Sequence, residues 1–501
     1  MLRPMVATTA VTAALILLAG CGGDKKSGSG SDNNSGQSTT SASPTAPSVP
    51  TFDPPKAFAI GAAYPVLKTT QYSYTGAAMA LVGKVAVAGT IQSLAGHDVT
   101  DPSKSWSVQA APASTTKVNR AVQPKAVKVD GKDVAVVVYS ETDKGNGTQK
   151  PQGLVVIQWI DVSTGDKLAE TSTKTTDDEP SLGNVAYDVD SGQVAIVTSG
   201  KGPSPDVTVF ADPATKKATL VPGISPAAVH GGVIAGAKSA KTDRSDDAAM
   251  VLADGPSGKI TKQLAPLQTM FKPLLGTGKH AYFYGMKYVN YDAGTETSAI
   301  YAVDLSTGAV VATPPPPAKD STQAGGWSCF WDQATAVACT GKTGSNNNGT
   351  DTIIGFDDAT GKKTWGFSND SGNRNVPDVT AAFHGVLYAK TEAQPVLMDA
   401  KTGADLPSAA PSGSPSASDS PSTGDTPSGG DSPSVGATPS DGSTPSDSRT
   451  SGNGDLALWD GSLASPESVS QYGAVYKQQP HGDYSVTNEL DSVCVFIKAT
   501  G

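Results

Sequence analysis

The 501-residue chain is short of several residue types, and each shortage excludes something. Aromatic residues make up 6% and charged residues 17%, against 54 glycines and 36 prolines, a balance that suits a turn-rich β protein carrying disordered segments. The histidines are His97, His230, His280, His384 and His481, scattered without metal-ligand spacing. The four cysteines include no Cys-x-x-Cys pair, and Gly-x-Ser-x-Gly, Walker and dinucleotide motifs are absent. Two polar stretches, "TDDEP" and "NDSGNRNVPD", carry cation-friendly side chains without the EF-hand order and read as solvated loops. No catalytic constellation emerges. A formal net charge of −10 argues against nucleic acid as a partner.

Long apolar runs are also missing, except one at the N-terminus. "MLRPMVATTAVTAALILLAGC" has a single early positive charge, Arg3, and an apolar stretch over 6–18, too short to span a bilayer. Its close, Leu18-Ala19-Gly20-Cys21, resembles the bacterial lipobox. The resemblance implies removal of a signal peptide over 1–20, lipidation of Cys21, and anchoring to the outer face of the cytoplasmic membrane. Residues 21–55 and 407–455 are rich in Ser, Gly, Thr, Pro and Asp, and cannot bury enough apolar surface to offset their ordering entropy. The first reads as a tether spanning roughly 30 Å. The second reads as a disordered insertion, because strand-like sequence resumes over 456–501.

What the chain does have is a repeat. "IIGFDDATGKKTWGF" recurs in weaker form as "VVIQWIDVSTGDKLAE", "AIYAVDLSTGAVVAT" and "QPVLMDAKTGADLP". The shared Asp falls at Asp161, Asp212, Asp254, Asp304, Asp357 and Asp399, with a degenerate copy at Asp101. A spacing of about 40–60 residues with several short strands per unit predicts a β-propeller of four-stranded antiparallel blades over 56–406, closed by strands from 456–501. Within each unit two apolar runs meet at a tight turn, then a longer polar loop leads to a third run, the Asp-turn and a fourth run. The Asp accepts backbone N–H groups, and Gly165, Gly308, Gly361 and Gly403 supply a positive φ. Thr and Gly are replaced in "ADPATKKATL" and "ADGPSGKITK", as a structural joint tolerates. Seven Asp-turns favour seven blades. The leftover strands at the two ends complete the first and last blades, or combine as an eighth.

"GFDDATGKKTWGF" matches the repeat of the PQQ-like (quinoprotein-like) β-propeller family, Ala-x-Asp-x-x-Thr-Gly-x-x-x-Trp, and the resemblance covers 57–406. It implies a propeller fold and puts Trp365 in the tryptophan-docking position, where other copies have Ala169 and Ala312. Quinoprotein dehydrogenases of that family use a vicinal cysteine pair, a stacking tryptophan and a calcium-ligating carboxylate set. Cys329 and Cys339 are not adjacent, and no calcium set matches, so no cofactor, PQQ included, is expected.

Cys329 and Cys339 flank "FWDQATAVA", two strands about a turn, and are placed for a cross-strand disulfide; Cys494 lacks an obvious partner, and its pairing with one of them is the rival. Alternating strand direction puts the tight turns and Asp-turns on one face of the blades and the long loops on the other. Binding usually resides in variable loops on a rigid scaffold. The expectation is a monomeric, non-catalytic, lipid-anchored propeller whose long-loop face engages an envelope protein or extracellular ligand. The alternatives are a PQQ- or metal-dependent quinoprotein-like enzyme and a cell-wall sensor or structural module.

Overall fold

A computed structural model of the protein describes residues 49–59, 64–71, 78–89, 93–101, 103–109, 116–199, 206–242, 245–290, 295–315, 324–343, 349–371, 373–392, 394–407, 456–457, 466–478 and 490–501. The expected signal peptide, Cys21, His481 and nearly all of the 407–455 insertion lie outside these. Among the described residues every regular element is a β-strand, and no helix is long and apolar enough to cross a membrane.

The strands form a propeller of antiparallel blades. Blade 1 consists, from the axis outward, of Ala78–Val82, Val85–Gly89, Ser93–Asp98 and Ser105–Gln109. Blades 2 to 7 follow over 116–174, 181–222, 225–268, 270–313, 324–368 and 378–406. Blade 8 is built from both ends of the chain. Its inner strands are Ser468–Ser470, Gly473–Gln478 and Leu490–Lys498, and its outermost strand is Tyr64–Gln71, paired antiparallel to Leu490–Lys498.

The preference for seven blades is therefore corrected to eight. An Asp-turn joins a third strand to a fourth along continuous chain. In blade 8 the third strand runs to the C-terminus and the fourth arrives from the N-terminal side, so this blade has no such turn to count. The apolar core gives the same number independently. Among the described residues it divides into eight clusters, each shared by two neighbouring blades, from Val87 with Tyr139 between blades 1 and 2 to Met79 with Phe496 between blades 1 and 8.

Burial explains the residue pattern. Second and third strands lie inside a blade and between blades, so both faces are covered and the run is continuously apolar. Val194–Ser199 is buried at every position but the last. Outermost strands cover only one face: Lys259–Gln268 is exposed at eight of its ten positions. Innermost strands carry β-bulges in blades 2 to 7, which increase local twist near the axis. In blade 2 the innermost strand is broken into Thr116–Ala121 and Lys125–Val129, both paired to Lys132–Asp143, with Pro124 lacking the N–H that would continue the ladder.

Candidate functional site

Two faces present different chemistry, and the short-turn face is the more closed. In the Asp-turns of blades 2, 5, 6 and 7 the backbone carbonyl of the Asp accepts the N–H of the residue four later: Gly165 to Asp161 at 2.8 Å, Gly308 to Asp304 at 2.8 Å, Gly361 to Asp357 at 2.9 Å and Gly403 to Asp399 at 2.8 Å. The carboxylates meanwhile accept the Ser163, Ser306, Thr360 and Thr402 hydroxyls and N–H groups. Bonds from Ser306 and Thr307 hold Asp304 down at about 2.

The residue after each Asp then donates its N–H to the turn between the first two strands of the same blade. The pairs are Val99 to Lys84, Val162 to Asp133, Gly255 to Gly232, Leu305 to Lys279, Asp358 to Thr335 and Ala400 to Gly385. Ala499 to Tyr472 is the counterpart in blade 8. Blade 3 breaks the series because Pro213 has no N–H. Asp98, which pairs with Val85 as Asp357 pairs with Ala336, is the turn residue of blade 1, so the degenerate copy belongs three residues before Asp101.

Trp365 lies eight residues after Asp357 on the outermost strand of blade 6. Its Nε1 donates to Ala400 O in blade 7 at 3.0 Å, and its ring covers Gly403, where a Cβ would lie 2.4 Å from the indole. Correcting the turn residue to Asp98 exposes a second tryptophan dock. Trp106, eight residues after it, donates to Val162 O in blade 2 at 2.8 Å and covers Gly165. Lys262 holds the same position in blade 4, its Nζ donating to Thr307 O at 3.0 Å. These are inter-blade joints.

The histidines separate by neighbourhood. His280 is buried between blades 5 and 6, its Nδ1 2.8 Å from Asp358 O, while Thr277 Oγ1 donates to Asp358 Oδ1 at 2.8 Å. Burial raises Asp358, against the Thr277 bond. A Cβ on Gly361 would come within 3.0 Å of His280 Nε2, so this turn packs closely on the network. His384, at a positive-φ turn position, reaches Asp53 in the N-terminal segment, and His97 pairs with Ser105 inside blade 1.

His230 differs. It ends the innermost strand of blade 4, and its Nδ1 lies 3.3 Å from Asp188 Oδ1 in the first turn of blade 3. Asp188 is 3% exposed. Burial pushes its carboxyl up, but bonds from Ser191 Oγ and the N–H groups of Asp190 and Gly231 outweigh that and hold it below the ordinary value. The exposed Asp190 brings a second carboxylate to within 4.8 Å of the same donors. This is the one cluster of three potential metal ligands among the described residues. Linear spacing hides it, because 188 and 230 are 42 residues apart; aligning the repeats would have found it, since "YDVDSGQ" and "AVHGG" are equivalent turns of consecutive blades.

The long-loop face is polar and of mixed sign. Described parts carry the ion pairs Lys117–Glu179 at 3.2 Å, Lys287–Asp246 at 3.3 Å and Lys342–Asp351 at 3.5 Å. Beside them stand the exposed apolar side chains Leu267, Met270 and Val289. The cation-friendly stretches are bound internally: Asp177 O accepts Gly153 N–H, and Asn369 Oδ1 accepts Val376 N–H. In blade 2 the second strand runs to Asp143 and the third begins at Gln152, which leaves 144–151 as the loop between them. Other long loops, including 200–205, 291–294 and 344–348, lie outside the described residues.

Cys329 and Cys339 are directly opposed on the first two strands of blade 6 and joined as a disulfide, with Cα atoms 4.0 Å apart. Cys494 is a buried thiol in blade 8, pushed up to about 12 by burial and by Glu467.

No family model matches the chain, and no curated protein does either. Among solved structures it is similar to the β-propeller domain of the trilobed protease from Pyrococcus furiosus, with 11% identity and a TM-score of 0.35 over 59% of this chain and 84% of that one. The Dos1 propeller gives 8% identity and a TM-score of 0.38 over 70% and 86%. Porphyromonas gingivalis dipeptidyl peptidase 4 gives 9% and 0.36 over 65% of this chain, which spans 50% of that enzyme's length.

Proposed function

We propose that the protein is a membrane-tethered extracytoplasmic scaffold, lipidated at Cys21, that engages an envelope protein or extracellular ligand through the long-loop face of its propeller. Catalysis and a cofactor have no part in this reading. The observation that carries it is where the first described residues lie. Phe52 N–H donates to Gln471 O at 2.9 Å in the first turn of blade 8, and Asp53 meets His384 in the first turn of blade 7. Tyr388 OH donates to Pro55 O at 2.7 Å. The segment leading toward Cys21 thus crosses the short-turn face, which is already occupied by turn-to-turn hydrogen bonds. In this reading the tether joins the propeller on that face, with recognition assigned to the opposite one. Rigid blades presenting variable polar loops are the arrangement in which propeller-like scaffolds place recognition.

A photo-crosslinking side chain at Lys144 or Val289, compared in intact cells with one at Ser306 or Lys401, tests the proposal. Discrete adducts from the first pair and none from the second are expected. Equal adducts from both faces, or adducts from the short-turn face alone, would sink it.

A further inference from the structure

The geometry points to a divalent transition-metal site formed by Asp188, Asp190 and His230 on the short-turn face, joining blades 3 and 4. Donors to one ion at metal–ligand distances of about 2.0–2.2 Å stand roughly 3–3.5 Å apart at tetrahedral angles. His230 Nδ1 and Asp188 Oδ1 are separated by 3.3 Å, within that range and longer than the about 2.7–2.9 Å of a charge-assisted hydrogen bond. The Asp190 carboxylate accepts no hydrogen bond among the described residues, yet lies within 4.8 Å of the other two donor atoms. Nothing local therefore competes for it.

The neighbouring turn leaves space. Gly278 in blade 5 stands against the cluster, and the Cβ it lacks would lie 3.8 Å from both Asp190 Oδ2 and His230 Nδ1. A larger side chain would fill that volume. Asp188 is already fixed by Ser191 and by the Gly231 N–H, so one ligand is oriented before any ion arrives. Two carboxylates and one imidazole suit zinc, manganese or cobalt better than calcium, which takes oxygen ligands in larger number. Remaining positions would be filled by water at this partly exposed site. The role that follows is a bolt between blades 3 and 4, independent of the long-loop face.

The test is titration of the purified full chain, stripped with chelator, with zinc and separately with calcium, by calorimetry and by thermal unfolding. Asp190→Asn and His230→Gln serve as variants, since neither side chain holds the turn. One-to-one zinc binding is expected, with a rise in unfolding temperature, weak or no calcium binding, and about tenfold or greater loss of affinity in each variant. No saturable zinc binding overturns the inference and leaves a histidine–aspartate pair. Zinc binding of equal strength in both variants also overturns it, by placing the ion elsewhere.

Discussion

The indole N–H of Trp365 donates to the carbonyl oxygen of Ala400 across the boundary between blades 6 and 7, and the same ring lies on Gly403. One side chain thus reads two features of the next Asp-turn: its carbonyl direction and its missing Cβ. Trp365→Ala is expected to destabilise the protein by about 2 kcal/mol. Gly403→Ala combines a clash with a φ of 70°, and is expected to cost roughly 1–3 kcal/mol. Denaturant titration of both single variants and the double variant should find the two costs less than additive, because removing the ring relieves the clash. Strict additivity would show that the ring does not touch the turn.

Stability should fall as the pH rises through the range set by Glu141. This residue is 2% exposed between blades 1 and 2, and its Oε1 has no hydrogen-bond partner among the described residues. Burial, with the charge of Glu170 and against that of Lys167, pushes it from 4.5 up to about 7. Below pH 4.5 both folded and unfolded states hold the proton, and no penalty exists. Between 4.5 and 7 the unfolded state loses its proton first, so folding becomes progressively less favourable; above 7 the loss is complete. Glu141→Gln should remove that slope and stabilise the protein at pH 8 by on the order of 2 kcal/mol. Identical pH profiles for the two proteins would refute the assignment.

Opening the Cys329–Cys339 bridge should cost stability modestly. It closes a short loop, with a sequence separation of 10, so about 2 kcal/mol is expected. The paired Cys→Ser variant and the reduced native protein should unfold at the same lowered temperature. Cys494, buried and held as a thiol, should resist alkylation until the protein unfolds.

If Cys21 carries the anchor, Cys21→Ala should move the protein from the membrane fraction to the medium or leave an uncleaved precursor. Incorporation of a fatty-acid probe should be lost in step. Retention of both membrane association and probe would exclude this residue as the anchor.

The architecture was legible because the Asp-turn advertises itself: Asp357, Thr360 and Gly361 are local in sequence, and each is needed by the same few backbone groups. Blade 8 was legible only as the alternative in which the leftover strands of the two ends combine, because its third-to-fourth connection does not exist as continuous chain. Trp106 stayed hidden behind the misplaced Asp101, although its distance from Asp98 equals that of Trp365 from Asp357. A tryptophan outside the pattern was missed altogether: buried Trp159, whose Nε1 donates to Gly192 O in blade 3 at 2.7 Å. The Asp188–Asp190–His230 cluster was dispersed by linear counting. Contacts between equivalent turns of adjacent blades become visible only once the repeats are stacked.

Blade 8 also bears on how the chain reaches its native state. Tyr64 pairs with Phe496, nearly the full length of the polypeptide away. Such a contact demands closure of a very large loop, which raises contact order and slows folding. Until Leu490–Lys498 pairs with Tyr64–Gln71 the arc of blades 1 to 7 stays open, with unpaired edges and the apolar surfaces of Met79 and Tyr388 uncovered. Commitment to the native ring therefore waits on the long-range pairing within blade 8. A truncation of the final strand would leave an aggregation-prone crescent rather than a smaller propeller.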